Sequence, residues 1–143
     1  MIIEFKGDYR FLSNFYIEPD GTHVEGEYQA AKCEASKNLF AGLTPGQAKK
    51  LGKSIRCDPG WEDRKLKVMS DLVCQKFHDH PGLQVLLLET QPQVIMEGNR
   101  WHDNFWGNCT CVDCINVCGR NYLGQILMNV RTYFNEQRIS KKD

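Results

Sequence analysis

The sequence predicts a helix-rich α+β fold: a single compact domain over residues 1–143 with a few short strands. Three observations carry this. A chain of 143 residues matches one domain around one core. Its 41% hydrophobic and 25% charged residues are ordinary for a globular protein. Apolar residues recur at helical spacing through most of the chain, with no βαβ alternation and no glycine-rich dinucleotide loop, which argues against a Rossmann-type sheet.

The elements follow in order. Ile2 to Phe5 is short and β-prone, a first strand. Pro19-Asp20-Gly21 is a turn signal between Ile17-Glu18 and Thr22-His23-Val24, which predicts a small hairpin. Residues 25–38 are helical in composition. Thr44-Pro45-Gly46-Gln47 starts the next helix: Thr caps, Pro fits the first helical position, and Gln three residues on completes a capping box. That helix is expected to reach Ile55, before Cys57-Asp58-Pro59-Gly60 breaks it. From Trp61, the residues Met69, Leu72, Val73 and Phe77 form an apolar stripe opposite Glu62, Asp63, Arg64, Lys65 and Lys67. Pro81 opens a Leu-rich helix, and Gln93 to Met96 reads as a brief strand. In the last helix Leu123, Ile126, Leu127, Val130 and Phe134 share one face, and the tail Ser140 to Asp143 is expected to fray.

Eighteen basic and eighteen acidic residues cancel, so a broad electrostatic grip on nucleic acid is not advertised. The clusters Lys49, Lys50, Lys53, Arg56 and Arg64, Lys65, Lys67 read as solvated helix faces. No apolar run approaches membrane-spanning length, and the N-terminus lacks a secretory layout. Seven cysteines, an odd count, fit a reducing cytoplasmic setting. The oligomeric state is left open.

Several groups carry chemistry. Glu25, Tyr28 and Lys32 fall at i, i+3 and i+7, one face of a helix. A carboxylate and a lysine on one line serve as base and cation, or as base and nucleophilic amine; a surface ion pair is the plain alternative. Glu27 points elsewhere. Asn14, between aromatics in FLSNFY, suits either a ligand or a turn. The stretch EGNRWHDNFWGNCTCVDC sets Trp101, His102, Asp103, Asn104, Phe105 and Trp106 before closely spaced thiols; aromatic faces beside donors and acceptors suit a planar polar ligand such as a nucleobase. Cys109, Cys111, Cys114 and Cys118 are spaced as a tight zinc wrap, which Cys57 or His102 could help complete; free thiols are the alternative.

FLSNFY, EGEYQAAK, NFWG and GRNYLGQILMNVR, in that order, resemble the NADAR (YbiA-like) family, and the likeness runs from about Phe5 to Arg131. The resemblance implies a compact helix-rich α+β fold and hydrolysis of ribose–amine N-glycosidic bonds. The substrate class is ADP-ribose on guanine in nucleic acid, or a small ribosylamino nucleotide of riboflavin synthesis. Carried over residue by residue, it points to Asn14, Glu25, Lys32, Trp106, Asn121 and Gly124. Asn108 stands where some members carry an acid, and the cysteine-bearing segment is absent from the enteric YbiA type. With Glu25 and Lys32 as the catalytic pair, Tyr28 belongs to their face, Trp106 stacks the base or walls the ribose, and Arg10 or Arg120 takes phosphate. No cofactor is required for this chemistry. A non-catalytic reader of ADP-ribose or nucleic acid, and a zinc-stapled interaction domain, are the competing classes.

Overall fold

The computed structural model describes residues 1–141. The helix-rich expectation holds. The order is a 3-10 segment Gly7–Leu12, α1 (Val24–Ala30), a 3-10 segment Glu34–Phe40, α2 (Pro45–Gly52), α3 (Trp61–Asp79) and α4 (Pro81–Glu89). Then come β1 (Gly98–Asn99), β2 (Asn108–Cys109), a 3-10 turn Val112–Cys114 and α5 (Tyr122–Ser140). No helix among the described residues is long and apolar enough to cross a membrane. Of the tail expected to fray, Ser140 closes α5, while Lys142 and Asp143 lie outside the described residues.

Contacts divide the chain into two compact units, Ser13–His80 and a second made of Met1–Leu12 with Pro81–Asp143. In the Ser13–His80 unit, α1 packs on α2, on α3 and on the segment 34–40. Its core is Val24, Tyr28, Phe40, Ala48, Trp61, Met69, Val73 and Phe77. The predicted stripe of α3 is buried except that Leu72 is half-exposed and Lys76 takes a buried place. Lys76 reaches the Ser13 carbonyl at 3.1 Å and lies over the Tyr16 and Phe77 rings, so it fastens the FLSNFY segment to α3. Burial holds its ammonium down to about 8, offset in part by Glu18.

The other unit is built on α5. All five predicted stripe residues are buried, and α4 packs against them through Leu83 and Leu87, while Leu86 is exposed. Arg131, also buried, donates to Thr90 Oγ1 at 2.9 Å and to the Gln93 carbonyl at 2.8 Å.

Four expectations are corrected. The strands at 2–5 and 93–96 shrink to one parallel bridge, Ile2 to Ile95, flanked by Ile2 N–H to Val94 and Met96 N–H to Ile2. The parallel pair seen instead aligns Gly98 with Asn108 and Asn99 with Cys109. The hairpin around Gly21 is a closed turn without strands, Glu18 N–H donating to Thr22 and Gly21 N–H to Glu18. The helix over 25–38 ends at Ala30, and the chain continues through a turn into 3-10 geometry. The second helix likewise ends at Gly52 rather than Ile55, while its Thr44–Gln47 capping box forms as read.

Candidate active site

His23 starts α1. Its Nδ1 accepts the Gly26 N–H at 2.9 Å and its Nε2 meets the Leu43 carbonyl at 2.8 Å, a pattern that calls for the proton on Nε2. The ring lies so flat on Gly26 that a Cβ there would sit 2.5 Å from it. The glycine of the EGEY motif is thus the space into which the cap folds. His23, read from sequence as a strand residue without signal, is the N-cap of the helix that carries the site.

Glu25 is 8% exposed. Its N–H donates to the Asn14 carbonyl at 3.0 Å, so FLSNFY holds the first turn of α1 by its backbone, while the Asn14 amide points to Met69 Sδ at 3.4 Å. The Glu25 carboxylate accepts from Gln29 Nε2 at 2.9 Å. Burial pushes this carboxyl above its ordinary range; the Gln29 bond and then Lys49, Lys32 and His23 pull the other way. Gln29 in turn presses on α2, where a Cβ on Gly52 would stand 1.8 Å from its Oε1. The carboxylate is therefore braced by a glutamine that only a glycine admits. Gly52→Ala is expected to shift Gln29 and lower turnover, whereas Gly46→Ala, with open space at its Cβ, should leave it unchanged; steady-state rates of the two variants check this.

Lys32 follows the end of α1, in the turn. Its place on the Glu25 face survives because the turn closes tightly, Lys32 N–H reaching the Gln29 carbonyl at 3.3 Å. The amine lies over the Tyr28 ring, 5.6 Å from its centre, and Tyr28 stacks tilted on Trp61 at 5.3 Å. Tyr28 is 7% exposed, so the structure gives it the role of a platform for the amine rather than an open substrate contact. Burial lowers the Lys32 amine below its ordinary range, offset in part by Cys57 and Glu25. The Lys32 carbonyl accepts the Asp58 N–H at 2.8 Å, and the Asp58 carboxylate accepts the Glu34 N–H at 2.9 Å, so the loop before α3 holds the turn from both sides.

Sequence reasoning passed over Lys49. Read as part of a solvated face, it is half-buried, lies over the Phe15 ring at 5.6 Å, and acts electrostatically on Glu25. The signal available was the pairing of a lysine-bearing helix with the exposed aromatic of FLSNFY. The opposite face of α1 borders an open recess of about 540 Å³, lined by His23, Gly26, Glu27, Leu43 and others. Glu27 indeed points away from Glu25, and it too is raised, by burial and then by Glu18 and Asp20. On the Glu25 face a carboxyl and an amine, each shifted by burial, act on one another electrostatically.

Asn14, Glu25, Tyr28 and Lys32 belong to the Ser13–His80 unit; Arg10, Trp106 and Asn121 belong to the other. Arg10 is exposed on the 3-10 segment Gly7–Leu12. Trp106 is half-buried, edge-on to Phe105 at 4.8 Å, with its N–H held by the Asp103 carboxylate at 2.9 Å. Asn121 faces inward. It is 8% exposed in left-handed geometry (φ 52°), its Oδ1 accepting Glu97 N–H at 2.9 Å and its Nδ2 donating to the Ile95 carbonyl at 2.9 Å. Both ends of the amide serve the backbone, and Gly124 leaves them room. Asn121→Ala is expected to cost roughly 1–3 kcal/mol by stranding those backbone groups, measurable by urea denaturation.

The polar loop 99–104 is likewise turned inward. Asn99 Oδ1 accepts from Trp101 and Asp103 N–H, and Asn104 Oδ1 accepts the Cys109 N–H at 2.9 Å. Asn108 accepts the Gly119 N–H at 2.9 Å. The loop surrounds a cluster of His102, Cys109, Cys111 and Cys114, whose donor atoms all lie within 4.8 Å of one another, a set able to hold a metal ion. Cys118, expected as the fourth thiol, is not part of it: it is exposed and its Sγ faces only the neighbouring Gly119 carbonyl at 3.9 Å. His102 takes that place. Cys57 is in the other unit, beside Lys32.

Residues 5–135 match the NADAR domain. The chain belongs to the NADAR family. This NADAR domain is 35% identical over 141 residues to an N-glycosidase of Nostoc punctiforme, covering 86% of the chain and 84% of that protein. It is 36% identical to the chloroplastic riboflavin biosynthesis protein PYRR of Arabidopsis thaliana, over 73% of the chain and 18% of that longer protein. The NMR structure of Escherichia coli YbiA superposes with a TM-score of 0.79 at 29% identity, covering 97% of the chain and 88% of YbiA. The YbiA-like fold expected from sequence is thereby shown, and relatives of this NADAR domain are N-glycosidases.

Proposed function

We propose that this NADAR domain hydrolyses a ribose–amine N-glycosidic bond, with ADP-ribose on guanine of nucleic acid as the substrate class. The observation that carries the reading is the joint placement of Glu25 and Lys32: burial raises the carboxyl and lowers the amine, so a proton donor and a free amine coexist nearer neutral pH than either would in water. The lone pair of Lys32 attacks the anomeric carbon, the C1–N bond breaks, and Glu25 gives its proton to the departing base amine. The proton on the new Lys32 ammonium passes to the ring oxygen as the ring C1–O bond opens, which leaves an iminium; Glu25, now ionised, takes a proton from water as that water adds to the iminium carbon. Collapse of the adduct releases ribose and frees Lys32. Tyr28 holds the amine. Seven cysteines outside any disulfide support a reducing, cytoplasmic setting.

The riboflavin-named relatives favour a second substrate of the same bond type, a small ribosylamino nucleotide. A panel assay on purified protein decides between them. Release of ADP-ribose from ADP-ribosylated guanosine oligonucleotide at a kcat/KM well above that on the riboflavin intermediate supports the first reading. The reverse ranking replaces it, and saturable binding with no release of either product overturns the hydrolase.

A further inference from the structure

We propose that His102, Cys109, Cys111 and Cys114 form a closed structural zinc site, built from loop and β2 within one unit and separate from the Glu25–Lys32 pair. The geometry fits before any ion is considered. Zinc–sulfur bonds of about 2.3 Å and a zinc–nitrogen bond of about 2.0 Å set the nitrogen–sulfur edge of a tetrahedron at roughly 3.6 Å. His102 Nδ1 lies 3.3 Å from Cys111 Sγ, 3.4 Å from Cys114 Sγ and 4.0 Å from Cys109 Sγ. One nitrogen thus stands at tetrahedral-edge distance from three sulfurs, an arrangement that ordinary packing has no reason to produce.

The surroundings support thiolate ligands. Cys109 and Cys114 are buried at 2% and 8% exposure, yet both sulfurs receive hydrogen bonds, from His102 N–H at 3.3 Å and from the Asn104 amide at 3.5 Å. Donors aimed at ligand sulfurs are the outer layer that metal thiolates carry. His102 itself adopts left-handed backbone geometry, φ 66°, which costs a non-glycine residue about 1–2 kcal/mol. That conformation swings the imidazole toward the three sulfurs, and a metal bond offsets it. Soft sulfur with one imidazole and a tetrahedral frame selects zinc over magnesium or calcium. With three thiolates and one imidazole the four positions are filled by the protein, so the ion has none left for water or substrate and its role is to staple.

What it staples is the segment from Trp101 to Cys114. The pairing of β1 with β2 is only two residues long, and the loop beyond it has no core of its own: Trp101, Val112 and Ile115 are exposed. Metal binding supplies the ordering that apolar burial does not. The ligand set also differs from the four-cysteine set that spacing suggests, and this makes it testable.

The experiment is metal analysis of the purified full chain with single-residue variants. The wild type should carry about one zinc per chain, and cobalt added to the metal-free protein should give the charge-transfer and visible bands of a tetrahedral site with three sulfurs and one nitrogen. Cys118→Ser should keep the full complement and the same cobalt spectrum. Cys111→Ser should lose the complement, and His102→Ala should weaken binding and change the spectrum. Chelation should lower the melting temperature and raise protease cutting between Trp101 and Ile115. Less than stoichiometric zinc with no cobalt spectrum overturns the site. Loss of metal in Cys118→Ser, with His102→Ala unchanged, overturns the ligand set. These readouts are independent of glycosidase activity.

Discussion

Glu25→Gln should yield a protein that melts higher than the wild type at pH above the raised Glu25 pKa and turns over slower by about 10²–10⁴-fold, the usual worth of a positioned acid–base group. Both effects have one cause. The carboxyl sits almost wholly out of water, and burial raises its pKa. The folded state therefore binds the proton more tightly than the unfolded state. The stabilisation from that proton is complete below the ordinary carboxylate pKa and is lost as pH rises through the raised value in the folded protein. Above that raised value the wild type bears the cost of a buried charge; glutamine keeps the size and the contact with Gln29 but removes the charge. The gap in melting temperature should close on acidification below the unfolded carboxylate range. Thermal scans of the two proteins from about pH 3 to about pH 9, beside kcat at pH 7, test this. A variant that keeps most of its activity takes Glu25 out of the chemistry; one that melts lower across the whole pH range contradicts the cost assigned to its charge.

Lys32 carries the second large effect, and its substitutions separate two mechanisms. If the amine is the nucleophile, borohydride added during turnover traps a substrate adduct on Lys32, and both Lys32→Ala and Lys32→Arg lose about 10²-fold or more in rate. If the amine acts only as a cation while Glu25 activates water, Lys32→Arg keeps much of the rate and nothing is trapped. The nucleophilic route is expected. The amine is lowered by burial over the Tyr28 ring, so its unprotonated fraction grows at lower pH than for a lysine in water. Adduct formation should rise with pH through that lowered value, since only the free amine has the lone pair. Mass spectrometry of the trapped protein locates the adduct. Its absence under conditions of full turnover rejects the iminium step.

The parts of this molecule that were legible in the sequence are those fixed within a few residues. The Thr44–Gln47 capping box is local chemistry, and the α5 stripe is a period that nothing interrupts. The Glu25–Lys32 face was legible for a partly mistaken reason. Spacing assumed a continuous helix, yet α1 stops at Ala30, and a tight turn happens to keep the lysine above Tyr28. Long-range pairings left no such trace. The sequence offered His102 only as one way to complete the thiol set; that it, rather than Cys118, lies beside the other three depends on a left-handed residue in a loop. Lys49 looked solvated because its partner Phe15 is thirty-odd residues away in the chain. Asn121 attracted a ligand role because its position opens the last helix, while its amide is consumed by the backbone at Ile95 and Glu97.

Asp58 moors the turn that bears the reactive amine, gripping the residues on either side of Cys33 from the far end of a loop. Reach and aim of the Lys32 amine are therefore set at a distance. Lengthening or shortening the chain between Gly52 and Trp61 would move the Lys32 amine without touching Glu25 or Tyr28, and a half-buried aspartate becomes an adjustable screw for the position of that amine.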